Sequence, residues 1–154
     1  MSLSSCESAR EGDRLPELKL PPITRLQLAL YCGGSGDHNP IHVDTDFARR
    51  AGMKDVLAHG MLSMAFMGRL VTSVVPQSRV KSFSVRFIAI TWVADEITVT
   101  GRIARVDREE CTLTLELACV NQKGETTLEG QAVLSLGRPL QLQRDHAAGP
   151  AVPG

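Results

Sequence analysis

The chain has 154 residues, 43% hydrophobic and 22% charged, with 17 basic side chains balancing 17 acidic ones. This is the size of one ordinary globular domain, which buries roughly 68–70% of its unfolded surface and needs neither disulfides nor a metal to fold. Zero net charge without a basic stripe interleaved with aromatics argues against nucleic acid as a partner. The longest apolar stretch, residues 56–75, is interrupted by His59, Gly60, Ser63, Gly68, Arg69, Thr72 and Ser73, which argues for a buried helix over a membrane span.

Residues 1–12 read as a flexible N-terminus without a signal-type apolar run. Residues 13–137 read as one domain, and 138–154 as a flexible C-terminal tail. An early strand is expected around residues 15–20. "PPITRLQLALYCGGSG" then carries a helix start, with Thr24 and Gln27 as a capping box and Ile23 and Leu28 as a hydrophobic staple. Gly33, Gly34 and Gly36 are expected to end that helix. "DTDFARRAG" predicts a short helix with Asp44 as its cap and Gly52 as its stop. Residues 59–75 follow as a long, nearly all-apolar helix, which other structure must enclose. Met61, Met64 and Met67 on it read as core, since methionine fills irregular interiors, with the lining of an acyl pocket as the alternative.

After Pro76 the period changes from helical to alternating. Val80, Phe83, Val85 and Phe87 are the apolar set of the first strand, and Ile97, Val99 and Ile103 that of the second. Cys111, Leu113, Leu115, Leu117 and Cys119 share a face in the third, and Leu128, Ala132, Leu134 and Leu136 in the fourth. Period two with one polar face predicts antiparallel strands buried on one side. Turns are expected at residues 107–110 and 121–124. The simplest packing lays the apolar face of the sheet across the long helix, an α+β two-layer domain. The cysteines, Cys6, Cys32, Cys111 and Cys119, lack zinc-type spacing and are expected to be reduced, buried thiols in a cytoplasmic protein.

"SGDHNPIHVD", residues 35–44, concentrates polar chemistry: Asp37, His38, His42 and Asp44, in a chain with only 4 histidines. Caps and an Asn-Pro turn account for each residue singly. The combination points further. Pro40 stiffens the segment and disfavours helix at Asn39, so Asp37 and His42 can converge on one point. Carboxylates ordinarily titrate near about 3.9 and imidazoles near about 6.5, a workable acid–base pair at neutral pH that can hold one water between them. "AHGML" opens the long helix with Gly60, where free backbone N–H groups favour developing negative charge and the missing Cβ admits a carbonyl. Such an arrangement suits chemistry beside a carbonyl that becomes an enolate. A metal at His38 and His42 is disfavoured because Pro40 interrupts the helix their spacing needs, and no serine-hydrolase pattern is present.

"SGDHNPIHVDTDFARRAGMKDVLAHGMLSMAF" resembles the hydratase signature of MaoC-like dehydratases and R-specific enoyl-CoA hydratases. The likeness runs from Gly36-Asp37 through Asn39-Pro40, His42, Asp44 and Phe47-Ala48 to His59-Gly60-Met61, and more weakly over residues 12–137. It implies a hotdog fold, a long central helix wrapped by an antiparallel β-sheet. It implies Asp37 and His42 as catalytic residues holding a water, Gly60 N–H on the thioester oxygen, and Asn39, Pro40, His59 and Met61 supporting the site. No metal or cofactor is implied. Gly68 departs from the pattern: some relatives carry serine there, and Ser63 comes five residues too early to replace it. Arg86 reads as an outward-facing strand arginine, with a contact to a substrate phosphate as the alternative.

The reading is a hydro-lyase for reversible hydration of trans-2-enoyl thioesters, of CoA or acyl carrier protein, to (3R)-3-hydroxyacyl thioesters. The alternatives are a hotdog thioesterase and an acyl-binding subunit of a heterodimer. Open sheet edges predict a homodimer or larger even oligomer, with a heterodimer as the variant; neither nucleic acid nor a membrane is an expected partner.

Overall fold

Alternating apolar residues in the second half of the chain become a five-stranded antiparallel sheet in the computed structural model, which describes residues 7–136. Its strands are β1 (Leu18–Lys19), β2 (Val80–Phe87), β3 (Ile97–Asp107), β4 (Thr112–Asn121) and β5 (Thr126–Ser135), in the order β1-β3-β4-β5-β2. The predicted inward sets on β3, β4 and β5 are buried, with Leu113, Leu115 and Leu134 inaccessible to solvent. On the opposite face Arg86 pairs with Glu129 at 2.7 Å and Arg102 pairs with Glu116, so Arg86 is an outward strand arginine. Both pairs are solvated and add little stability. The hairpin turns form where expected: Asn121 Oδ1 accepts the N–H groups of Lys123 and Glu125 at 3.0 Å, and Asp107 Oδ1 accepts that of Glu110 at 3.0 Å.

Helix α1 (Arg25–Ser35) starts at Thr24, whose hydroxyl accepts the Gln27 N–H at 3.1 Å. It runs through Gly33 and Gly34 and ends at Gly36, whose φ of 75° is the left-handed conformation of a helix stop. Two of the three glycines expected to end it are therefore helical; glycine weakens a helix without forbidding it. Helix α2 (Thr45–Arg50) is capped by Asp44, which accepts two N–H groups at 2.9 Å.

Helix α3 (Gly60–Val74) lies against β2, β3, β4 and β5. Leu62, Phe66, Met67, Leu70, Val71 and Val74 form its buried side, completing the hotdog arrangement of a central helix on a curved sheet. The helix is not enclosed all round. Met61 is 55% exposed, and Ala65, Gly68 and Thr72 continue an open stripe at four-, seven- and eleven-residue offsets, one face of a helix. Of the three methionines only Met67 is fully buried; a three-residue step is less than a turn, so such a series walks around the helix.

Two further expectations change. Residues 7–12 pack onto the sheet: Ala9 is buried, and Gly12 N–H donates to the Ile103 carbonyl at 2.8 Å. Cys111 is disulfide-bonded, whereas Cys32 and Cys119 are free thiols, so the expectation of four reduced cysteines fails at Cys111. Cysteine spacing alone does not reveal which thiols pair. Cys6 and the 138–154 tail lie outside the described residues. No helix among the described residues is long and apolar enough to cross a membrane.

Sheet and helix meet closely at Gly130 on β5, where an added Cβ would press on the buried Met67 sulfur and lie 3.0 Å from the Ser84 carbonyl. Gly130→Val is expected to lower unfolding free energy by roughly 1–3 kcal/mol, as overpacking usually does. Urea denaturation of Gly130→Val, Met67→Ala and the double variant checks this; the double variant should cost less than the sum of the singles, because removing Met67 makes room.

Candidate active site

The chain leaves α1 through Gly36 and enters a short 3-10 turn, Pro40–His42. Asn39 caps that turn by accepting the Ile41 N–H on its side-chain oxygen at 3.2 Å. Pro40 occupies the first position, where a missing N–H costs nothing. Asp37 Oδ1 accepts the Asn39 N–H at 3.3 Å. These bonds hold the backbone so that Asp37 Oδ2 lies 3.9 Å from His42 Nε2. That distance exceeds a direct hydrogen bond and suits a small group bridging the two.

His42 is buried and Asp37 has a half-exposed side chain, so the pair has one dry end and one open end. His42 Nδ1 lies 2.8 Å from the Leu57 carbonyl. A carbonyl only accepts, so in the neutral ring Nδ1 carries the proton and Nε2 keeps its lone pair toward Asp37. This is the tautomer a general base needs.

Behind His42 lies His59, 1% exposed, with ring centroids 3.8 Å apart and planes 24° from parallel. His59 Nε2 lies 3.2 Å from the Asp37 backbone carbonyl and donates to it. Tyr31 of α1 packs on His59 with ring centroids 4.9 Å apart. Burial, the largest influence, pushes the His59 pKa below the ordinary imidazole value against the opposing pull of its bond to Asp37, so the ring is neutral at pH 7. Its Nδ1 is buried with no hydrogen-bond partner among the described residues.

His59 also precedes α3, which has no side-chain cap, so the first amides of this helix are free for a ligand oxygen. At Gly60 an added Cβ would meet the Phe87 ring at 2.9 Å, so a side chain there would require that half-exposed ring to shift. Asp37, His42 and His59 are in contact, with Gly60 next along the chain; Met61 is exposed on the first turn of α3, and His38 is exposed in the loop.

Asp37, His42 and His59 offer donor atoms within 4.8 Å of one another. The set suits a metal poorly. Lone pairs of nearly parallel, stacked imidazoles do not converge on one point, and His59 Nε2–H is engaged by the Asp37 carbonyl. Cys119 is unsuited as a thiolate nucleophile, because burial pushes its thiol up to about 12.

Three contributors were not legible beforehand. Leu57 acts through its carbonyl, which no residue type announces. Tyr31 and Phe87 reach the site from α1 and β2, and their sequence distance hides them.

The chain matches the model of the MaoC like domain over residues 9–125. It is 28% identical over 130 residues to the (R)-specific enoyl-CoA hydratase of Rhodospirillum rubrum, covering 83% of this chain and 88% of that protein. It is 27% identical over 146 residues to the mitochondrial 3-hydroxyacyl-[acyl-carrier-protein] dehydratase of Arabidopsis thaliana, covering 93% and 87%. Among solved structures, the (R)-hydratase from A. caviae involved in PHA biosynthesis superposes with a TM-score of 0.77 at 24% identity, over 85% of this chain and 99% of that one, a likeness of fold. With its sheet-wrapped helix and its Asp37–His42 pair, the chain belongs to the MaoC-like domain family.

Proposed function

We propose that this protein is a hydro-lyase that reversibly hydrates trans-2-enoyl thioesters to (3R)-3-hydroxyacyl thioesters. The observation that carries this reading is the His42 Nε2 lone pair, freed by the Leu57 carbonyl and set 3.9 Å from Asp37. The relatives named for enoyl-CoA hydration and hydroxyacyl-carrier-protein dehydration support it. They support CoA and carrier-protein thioesters equally as substrates.

In this mechanism a water sits between Asp37 and His42. His42 Nε2 takes its proton while the oxygen attacks C3 of the enoyl group. The C2–C3 π electrons move onto the thioester, and the growing negative charge on its oxygen is held by Gly60 N–H at the start of α3. The pair then returns a proton to C2 on the same face, so addition is balanced and needs no cofactor. Asn39 and Pro40 keep the loop in the shape that aims Asp37.

The acyl chain runs from there along the open stripe of α3. An open cavity of about 520 Å³ lies between α3 and β2, lined by Ala65, Gly68, Val71, Thr72, Val80 and Phe83 among others. Gly68 is about 12 Å along the helix from Gly60, the reach of a medium-length chain. The same stripe and the unpaired edge of β2, with half-exposed Phe87, Ile88 and Ile90 beside it, favour a homodimer joined at that edge. A cytoplasmic setting belongs to this reading too; the disulfide at Cys111 is the observation against it.

Asp37→Asn and His42→Ala are each expected to lower kcat by on the order of 10²–10⁴, the usual worth of positioned acid–base catalysis. The double variant should be little worse than either single, because the two groups act as a unit. His38→Ala should change kcat far less. Absorbance loss of the conjugated thioester and chiral analysis of the product check this; a near-normal His42→Ala enzyme or a (3S) product would overturn the assignment. Gly68→Leu should lower the ratio of long-chain to short-chain kcat/KM by on the order of 10-fold by filling the cavity, measured across an enoyl-CoA series. Sedimentation should find a dimer, and a fully active monomer at low micromolar concentration sinks the proposed assembly.

A further inference from the structure

The buried ring that the mechanism leaves idle is His59. It is tied to both members of the pair. Its Nε2–H donates to the backbone carbonyl of Asp37 at 3.2 Å, and its face lies on His42 with 3.8 Å between centroids. Tyr31 closes another side, and solvent reaches 1% of the residue. Because a carbonyl accepts only, the proton of the neutral ring sits on Nε2 and the lone pair on Nδ1. That Nδ1 has no partner among the described residues, so nothing there stabilises a second proton.

We infer that His59 is a positioning residue, a flat plate that sets the His42 ring and the Asp37 backbone relative to each other. The inference rests on the reading of Asp37 and His42 as the acid–base pair. Two of its properties do separate work. The N–H anchors the loop from which the Asp37 carboxylate projects. The flat uncharged face keeps His42 from turning about its bond to Leu57. It also lets His42 become cationic in mid-reaction without a like charge stacked on it. A second cation at 3.8 Å would oppose that proton transfer. The titratable groups facing His59 are Tyr31 from α1, Asp37 from the loop after α1 and His42 from the 3-10 turn. Burial, the dominant influence, pushes the His59 pKa down, in keeping with the neutral role.

Two substitutions divide the properties. His59→Phe keeps a plate and removes the N–H; His59→Gln keeps an amide N–H and removes the plate. Each should lower kcat for enoyl-CoA hydration by on the order of 10- to 10²-fold, as small misplacements of reacting groups do, with KM changed little. His59→Gln should also move the acid limb of the kcat–pH profile, whereas a simple loss of folded protein would scale activity equally at every pH. Kinetics are referred to the folded fraction measured by circular dichroism. Nitrogen-15 spectra of the wild-type imidazoles give a reading independent of any variant: His59 should show the neutral Nε2–H form at pH 7 and take up a second proton only below the ordinary imidazole range. Wild-type kcat and pH profile in both variants, or a His59 that titrates like a free imidazole, overturns the inference. His42→Ala is the control: if it retains activity, the reading of the catalytic pair has failed, whereas an inactive His42→Ala beside fully active His59 variants means that only the role of His59 has.

Discussion

The site depends on one main-chain hydrogen bond, from His42 Nδ1–H to the Leu57 carbonyl at 2.8 Å. Without it the imidazole could carry its proton on either nitrogen, and the Nε2–H form would point a donor at Asp37 where the proposed chemistry needs a lone pair. The bond is only as good as the position of Leu57. That peptide is held on both sides. Leu57 N–H donates to the Ile41 carbonyl at 3.4 Å, beside His42 itself, and Leu57 pairs with Trp92 in an isolated antiparallel bridge. Ala58 N–H donates to the Thr91 carbonyl at 2.9 Å and Val93 N–H to the Val56 carbonyl at 3.4 Å. Residues 56–58 thus act as a short clasp between the 3-10 turn and the segment leading into β3. The clasp is fastened to α1 as well: Arg25 Nη2 reaches both carboxylate oxygens of Asp55 at 2.7 Å. The Val56 N–H on Asp55, with Arg25 beside it, holds that carboxyl below its usual range. The pair is largely solvated, so its value is geometric more than energetic.

Placing two imidazoles in a dry stack has a cost that the rest of the fold must offset. The orphaned His59 Nδ1 alone represents about 1–3 kcal/mol of unrecovered solvation. The sheet and α3 supply the compensation through an apolar core in which Leu28, Met67, Leu113, Leu115 and Leu134 are wholly inaccessible. Each fully buried side chain of that size contributes about 1.5–3 kcal/mol. The core is therefore large enough to carry a polar cluster at one end. This explains why the costly residues gather at the start of α3 and the apolar ones along its length.

Much of this was legible in the sequence, for physical reasons. Alternation at period two shows itself in β3, β4 and β5 because one face of each is buried, and the inward residues were read correctly on all three. Thr24 and Asp44 announce helix starts because their side-chain oxygens satisfy N–H groups that nothing else would. Asp37 and His42 were visible as a pair because Pro40 removes the helical alternative. What was not legible shares a different feature: it depends on distance in the sequence or on the main chain. Leu57 works through a carbonyl that every residue possesses. Tyr31 and Phe87 approach from separate elements. Gly33 and Gly34 look like stops, yet α1 passes through them because the left-handed turn it needs falls at Gly36. The burial of Ala9 and the bond from Gly12 N–H to the Ile103 carbonyl likewise depend on β3, over ninety positions away.

The contact between Phe87 and Gly60 links two features that are otherwise separate. Phe87 closes β2, whose outer edge has no partner among the described residues, and its ring lies against the first residue of α3. Around it Met61, Ile88 and Ile90 leave apolar surface open. Open edges and contiguous apolar patches are both surfaces that folded proteins normally cover. A chain laid along β2 would fix the end of that strand, and with it the ring beside Gly60. The dry end of the Asp37–His42 pair is complete within one chain, held by Leu57 and His59. Gly60, by contrast, lies against Phe87 at the end of an edge strand, so whatever orders that edge also bears on the first turn of α3.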